Sequence, residues 1–524
     1  VKEEKLTLPV LHSVLGRAGF GATAAEIALV EKVGFRAWIE EQLSPGPDDC
    51  SERLARLTLK IKYAAQEKWP AVDEQRPLQW LNKPIEAAWP LYVNRQEYDG
   101  AERRRPLLET AAAVVLRATH SKWQLREVLV GFWHDHFNVD GYGSEAVAVA
   151  LPSYDRDVIR RHALGNFREF LEATATSAAM QFYLSNRSSR AGSPNENFAR
   201  ELFELHGLGR EAYLNDRYSR WRDVPGALDG SPSGYIDQDV YEAARAFTGW
   251  TVEDGTALDS QRKLPQTGKF GYVEAWHDGY QKRVLGVEFQ PFQKAMADGR
   301  MVLDLVARHP ATARHICGKL CQRFIGEGYS PATLATATTA WTKHLEAPDQ
   351  IAQTVRAILL TPDFLKLTGG KPRRPLVLVS AFARGIGLDL TPTDTLLGEL
   401  NNAGQRLFGY PPPTGLPDAR EQFLGANAMR RRWGLALGMA ENQWGTGSID
   451  WSARFQGVPT PRGAVAHFLA NLTGVADPVA ISAIVDGLGW QQDAPIAEPG
   501  SPDLNKRLAR LAAYAAMVPA FQTA

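Results

Sequence analysis

The chain has 524 residues, with 59 Lys+Arg against 59 Asp+Glu, 44% hydrophobic residues, 14 Trp and 3 Cys. At roughly 100 to 200 residues per domain that is enough for a large core without metals or disulfides. A formal net charge of +0 argues against nucleic acid or anionic lipid as partner, because such binding is driven by a basic excess.

In chain order the sequence reads mostly as helix. From Leu8 to Leu43 apolar residues recur at spacings of three and four, broken at Gly19 to Gly21, which predicts three short helices. Ser44 to Asp49 is a polar turn before another helical run, and Lys68 to Arg105, rich in Trp, Pro and charge, reads as a surface excursion. Leu107 to Leu208 is a dense helical block, whereas Glu211 to Tyr235 is turn-rich and too polar for core. A helix is expected from about Asp237 to Phe247. The clearest β signal lies at 269–289, where a hairpin turning at Asp278-Gly279 is expected. Helices resume from Gln293 to Leu367 with a break at His309-Pro310, and the basic stretch Gly369 to Pro375 marks a junction. The expected fold class is therefore mainly α: a large multi-helix body over 1–368 with a small β-hairpin element, and a helical C-terminal subdomain over 369–524.

No apolar run approaches the ~18 residues that span a bilayer, so no transmembrane segment is expected. Val1 to Lys5 resembles neither a signal nor a transit peptide, and an exported protein without its leader would look the same. Cys50, Cys317 and Cys321 read as free thiols, and His315 with the last two lacks the converging ligands of a zinc site.

Four segments hold candidate functional residues. Ser193 to Gly207 reads as a short helix with a capping box between Ser193 and Glu196, Pro194 at the first helical position and Gly207 at its end. Asn197, Arg200, Glu201 and Glu204 share its polar face, so Glu201 is a candidate acid or base, with Glu196, Arg200 and Asn197 beside it. In Phe132-Trp133-His134-Asp135-His136-Phe137 the two His diverge by about 200° on a helix and do not share a metal. His136 continues the apolar face of Leu125, Leu129 and Phe132 as a core histidine, leaving His134 and Asp135 to line a site. The third segment is Trp276-His277-Asp278-Gly279 and the fourth surrounds His162. Phosphate-loop, dinucleotide, His-Glu-x-x-His and nucleophile-elbow motifs are absent from the sequence.

Leu15 to Thr23, Phe132 to Phe137, Arg161 to Phe167, Pro194 to Leu202, Ala244 to Trp250 and His277 to Gly279 occur in the order found in the bacterial domain-of-unknown-function 1800 family, which the chain resembles from about Leu11 to Phe521. The resemblance implies a large, mainly helical bacterial protein, often exported to the periplasm or beyond, and often encoded near an exported sulfatase-like partner. It also implies that the face of Asn197, Arg200 and Glu201 is more than solvated surface. Where the family commonly has Tyr-Leu-Asp-Asn this chain reads Tyr183-Leu184-Ser185-Asn186, so no duty passes to that Asp.

Three functional expectations follow. The first is an exported hydrolase or lyase acting on a polysaccharide by carboxylate and His acid–base chemistry, with Glu201, Glu196, Arg200, Asn197, His134, His277 and Asp278 as catalytic candidates and Trp276, Trp133, Asp135 and His162 as substrate contacts. The second is a divalent-metal enzyme using His134, His277, Asp278 and a Glu of the Asn-Glu-Asn helix. The third is a non-catalytic scaffold for another exported protein.

Overall fold

The computed structural model describes residues 6–367, 369–455, 458–498, 501 and 503–524. The protein is mainly α, as its spacing predicts. Leu8–Ala18, Ala24–Val33 and Phe35–Leu43 are the three N-terminal helices, the second started by a reciprocal cap between Thr23 and Glu26. Asp237–Ala246, Ala297–Arg308 and Pro310–Phe324 also fall where periodicity places them, and Asp503–Ala515 is a helix of the C-terminal part. Between Glu211 and Tyr235 only short 3-10 turns form, over a small cluster of Val224, Ala227 and Ile236.

The described residues form three two-stranded antiparallel sheets: β1 (Thr58–Tyr63) with β2 (Val72–Pro77), β3 (Trp250–Asp254) with β4 (Gln266–Tyr272), and β5 (Lys282–Val284) with β6 (Val287–Phe289). The hairpin expected over 269–289 is thus corrected. β4 pairs backwards with β3, placing Tyr272 opposite Trp250, and β5 turns into β6 through Leu285-Gly286, both with positive φ. Asp278 lies between β4 and β5 without pairing them; its carboxylate is held by Arg245 at 2.8 Å and accepts from the N–H of Tyr280 at 3.1 Å. β1 and β2 lie in a region read as helix and loop, although Leu59 and Ile61 are buried between exposed neighbours with the period of two that marks a strand.

One buried apolar cluster extends from Leu11 to Phe521, so the helix Pro375–Ile386 beyond the basic junction packs on the helix Gly100–His120 before it. Among the described residues no helix is long and apolar enough to cross a membrane. Two local irregularities shape the site. Pro152 lies near the end of Glu145–Ser153, where its missing N–H interrupts the helical ladder, and the chain continues as a π-helix over Tyr154–Arg160. A second π-helix, Leu202–His206, continues the short helix Glu196–Glu201.

Candidate functional site

The helix Gln124–His136 presents Glu127, Gly131 and His134 at spacings of four and three, hence on one face. That face lines a cavity of about 80 Å³ whose opposite wall is the segment 405–416. Gly131 makes room for it, since a Cβ there would meet no atom within 4 Å. The wall is tied down by the amide of Asn138, which donates to the carbonyls of Tyr410 at 2.8 Å and Pro412 at 2.9 Å. Gly415, at φ +70°, lies so close to the carbonyl of Asp135 that a Cβ would come within 1.9 Å of it.

Inside the cavity His134 is paired: its Nε2 lies 2.9 Å from Oδ1 of Asp155. The π-turn brings residues five apart to one side, so Oδ2 of Asp155 accepts from Nε of Arg160 at 2.7 Å. Arg160 in turn grips both oxygens of Glu127, at 3.0 and 2.9 Å. Burial alone would raise the Asp155 carboxyl, but Arg160, His134 and Arg117 outweigh it and hold it below the usual range. An ionised Asp155 accepts the Nε2 proton of His134, so in the neutral ring Nδ1 carries the lone pair. Nδ1 has no hydrogen-bond partner among the described residues.

Four of the other polar lining residues are arginines. Arg160, Arg323, Arg374 and Arg406 all border the cavity. Arg374 is bound to Asp135 and lies 3.2 Å from Asp418, and Arg406 stacks 3.4 Å above the ring of Tyr142. Both carboxylates of the lining, Glu127 and Asp135, are thus engaged by guanidinium groups. Among the described residues the carboxylate that Arg323 reaches is Asp418, at 3.7 Å.

The other sequence candidates are distributed elsewhere. The Glu196–Glu201 helix is capped by Asn195, whose side chain accepts from the N–H of Asn197, not by Ser193, and Pro194 therefore precedes the cap. Gly207 does not end an α-helix, because the π-turn intervenes. Arg200 pairs with Glu196 and with Asp237, each at 3.2 Å, while Glu204 binds Arg210. Asn197 donates to the carbonyl of Leu184. The half-buried Glu201 has its carboxyl pushed up, by burial first and by Glu204 second. Its neighbour Tyr183 donates to the carbonyl of Pro411 at 2.6 Å, so the Glu201 face abuts the back of the 405–416 wall and does not line the cavity.

His277 and Asp278 form a third environment. His277 lies 2.9 Å from the carbonyl of Thr248 and 3.3 Å from Asp298, which also accepts from Lys282 at 2.6 Å. Trp276 is buried, with Arg190 stacked 3.8 Å over its ring. His134, His277 and Asp278 form no cluster with metal-ligand spacing. Among the described residues that spacing occurs at Asp48, Asp49 and Cys50, where Asp48 binds Arg117 and Asp49 binds Ser121.

Two expected substrate contacts are corrected. Trp133 is 0% exposed, its indole donating to the carbonyl of Ala163 amid Phe137, Phe167 and Phe170, because the helix turns that face into the core. His162 stacks on Phe170 and bonds the Val158 carbonyl, which accounts for it structurally. Asp135 does border the cavity, as a partner of Arg374. His136 is the core histidine its spacing suggested: neutral, accepting from Lys319 at 2.9 Å and bonded to the carbonyl of His206 at 3.1 Å. Sequence reasoning missed Asp155, Arg160 and Arg374, which are remote from His134 in the chain. Gly131, on the His134 face of an otherwise bulky helix, was the available signal.

The family profile described as Protein of unknown function (DUF1800) matches residues 13–523. No curated protein and no solved structure matches the chain.

Proposed function

Since the chain belongs to the DUF1800 family, whose function is unknown, we propose that it is an exported enzyme cleaving an acidic polysaccharide by elimination, with His134 transferring the proton. The observation that carries this is the His134–Asp155 pair bordering a cavity lined by Arg160, Arg323, Arg374 and Arg406. Hydrolysis by two carboxylates needs one free acid and one free base across the bond, at least about 5 Å apart. Here Glu127 and Asp135, the carboxylates of the lining, are both consumed by arginines. Elimination next to a uronic carboxylate needs a single base and a cation that neutralises the carboxylate, and the cavity supplies both.

In the proposed step Nδ1 of His134 takes the proton on the carbon bearing the carboxylate, while a guanidinium stabilises the charge that develops on the carboxylate oxygens. The bonding pair forms a carbon–carbon double bond as the adjacent glycosidic C–O bond breaks, and the leaving oxygen recovers a proton from the imidazolium. Asp155 keeps the ring in the required tautomer. A volume of about 80 Å³ suits the acidic end of one sugar rather than an oligosaccharide, so the polymer would lie across the lip formed by 405–416. Export is supported by the family resemblance.

The test is to incubate the protein with uronate-containing polysaccharides and follow the ultraviolet absorbance of the conjugated unsaturated product. His134→Ala should lower the rate by about 10²- to 10⁴-fold, the span typical of general acid–base catalysis. New reducing ends without that absorbance would replace elimination by hydrolysis, and no cleavage of any acidic glycan would remove the proposal.

A further inference from the structure

We propose that Arg406 sets what the His134 cavity accepts, receiving the carboxylate of a uronate and so separating an acidic sugar from a neutral or esterified one, an assignment that rests on His134 as the base of an elimination. Four arginines border the cavity, and three of them are engaged by the protein itself. Arg374 donates to Asp135, to Asp418 at 3.2 Å and to the carbonyl of Leu416 at 3.0 Å. Arg160 donates through Nε to Asp155 and through Nη1 to Glu127, and its Nη2 is buried. Arg323 lies 3.7 Å from Asp418, which it shares with Lys371 and Arg374. Arg406 differs from all three. It is exposed, and among the described residues it meets no carboxylate and its side chain donates no hydrogen bond.

A fixed turn holds Arg406 at the mouth. Gln405 accepts from the N–H of Leu376 at 2.8 Å, the N–H of Gly409 donates to the carbonyl of Arg406 at 3.1 Å, and the N–H of Gly141 donates to the carbonyl of Phe408 at 2.9 Å. Between these anchors Phe408 takes φ +58°, a left-handed conformation that a bulky residue rarely adopts, and its ring centre lies 4.8 Å from that of His134. The Arg406 guanidinium is stacked 3.4 Å from the ring centre of Tyr142. A Cβ at Gly409 would come within 2.7 Å of both the Arg406 side chain and the Tyr142 ring, so the stack requires glycine there. Backbone strain of this kind persists where the surroundings over-determine it, and it concentrates at ligand sites.

A guanidinium stacked on an aromatic face keeps its edge free, and its fork of N–H donors matches the two oxygens of a carboxylate. A neutral hydroxymethyl group or a methyl ester offers neither the charge nor the second strong acceptor. The contact also strengthens during the reaction, because negative charge grows on the carboxylate oxygens as Nδ1 of His134 takes the adjacent proton.

The experiment uses the full chain with trimers of galacturonate, glucuronate and mannuronate, each as the free acid and as the methyl ester. Calorimetry in the His134→Ala background reads binding without turnover, and ultraviolet absorbance with His134 intact reads elimination. At least one free acid should be bound and cleaved in preference to its ester. Arg406→Gln should weaken that binding and raise KM by about 10- to 100-fold, the loss expected for a charge-assisted pair, and should erase the preference for acid over ester. Its melting midpoint should stay within about 1 °C of the wild type, since an exposed side chain without ion pairs is removed. Gly409→Ala, which keeps the charge and displaces the stack, should raise KM as well. Unchanged KM and unchanged acid preference in Arg406→Gln would overturn the proposal while leaving His134 as the base. Binding through Arg406 without any unsaturated product would remove the elimination and leave this assignment standing. If no free acid is bound more tightly than its ester, the assignment is rejected.

Discussion

Asp155→Asn is the most informative single substitution. Asp155 is 3% exposed, with one oxygen on His134, the other on Arg160, and Arg117 behind it at 3.8 Å. Asparagine keeps the shape and removes the charge. Breaking a buried ion pair from one side costs about 3–5 kcal/mol, most of it for the orphaned partner. Arg160 retains both oxygens of Glu127, so the lower end, about 3 kcal/mol, is expected at pH 7. For a chain of this size that lowers the melting midpoint by about 3 °C.

The pH dependence has a definite sign. The carboxyl of Asp155 is depressed in the folded state below its ordinary 3.8, so its stabilisation is present above that value and is lost as pH falls further. The wild-type and Asp155→Asn midpoints, measured by circular dichroism, should differ at neutral pH and converge in acid. Activity of the variant should fall by about 10³-fold or more, since the wrong tautomer of His134 is then favoured. Equal midpoints at neutral pH, or a gap that persists unchanged in acid, would refute the charge network as described.

Three further outcomes are expected. Gly131→Leu, whose Cβ meets no atom within 4 Å, should intrude on the cavity and gain about 0.8 kcal/mol in helix propensity, so turnover should be lost while the fold is kept; unchanged turnover would show that the cavity is not the site. Trp133→Ala, in the core, should cost about 3–5 kcal/mol in chemical denaturation, and a cost under about 1 kcal/mol would contradict its placement. Glu201→Gln should slightly raise the melting midpoint at neutral pH. A carboxyl raised in the folded state destabilises once both states are ionised, and the gain should vanish in acid, where the wild type is protonated; a lowered midpoint would mean that the charge of Glu201 is held by a partner.

Much of the site lay partly in view. Periodicity alone placed His134 and Asp135 apart from His136, and they do line the cavity while His136 sits in the core. The same periodicity sets Trp133 inside, although its proximity to the two histidines suggested a substrate contact. The polar face of Asn197, Arg200 and Glu201 was legible as a face, but not what it would meet: Asp237 and the back of a wall contributed by residues some two hundred positions later. Local rules erred where a tertiary partner pre-empted them, as when β3 paired with β4 in place of β5.

The sequence by itself determined the mainly helical class, the order of the helices, the free cysteines and the family, because these depend on spacings within a few residues and on motifs in order. Only the tertiary structure decided which charges meet. Asp155 and Arg160 share a side because the chain runs as a π-helix from Tyr154 to Arg160, and Arg374 reaches Asp135 across 239 positions of sequence. Such pairings depend on the path of the whole chain, since ionic partners are chosen by distance and burial in the fold, and a chain of net charge zero can still gather several cations around one cavity.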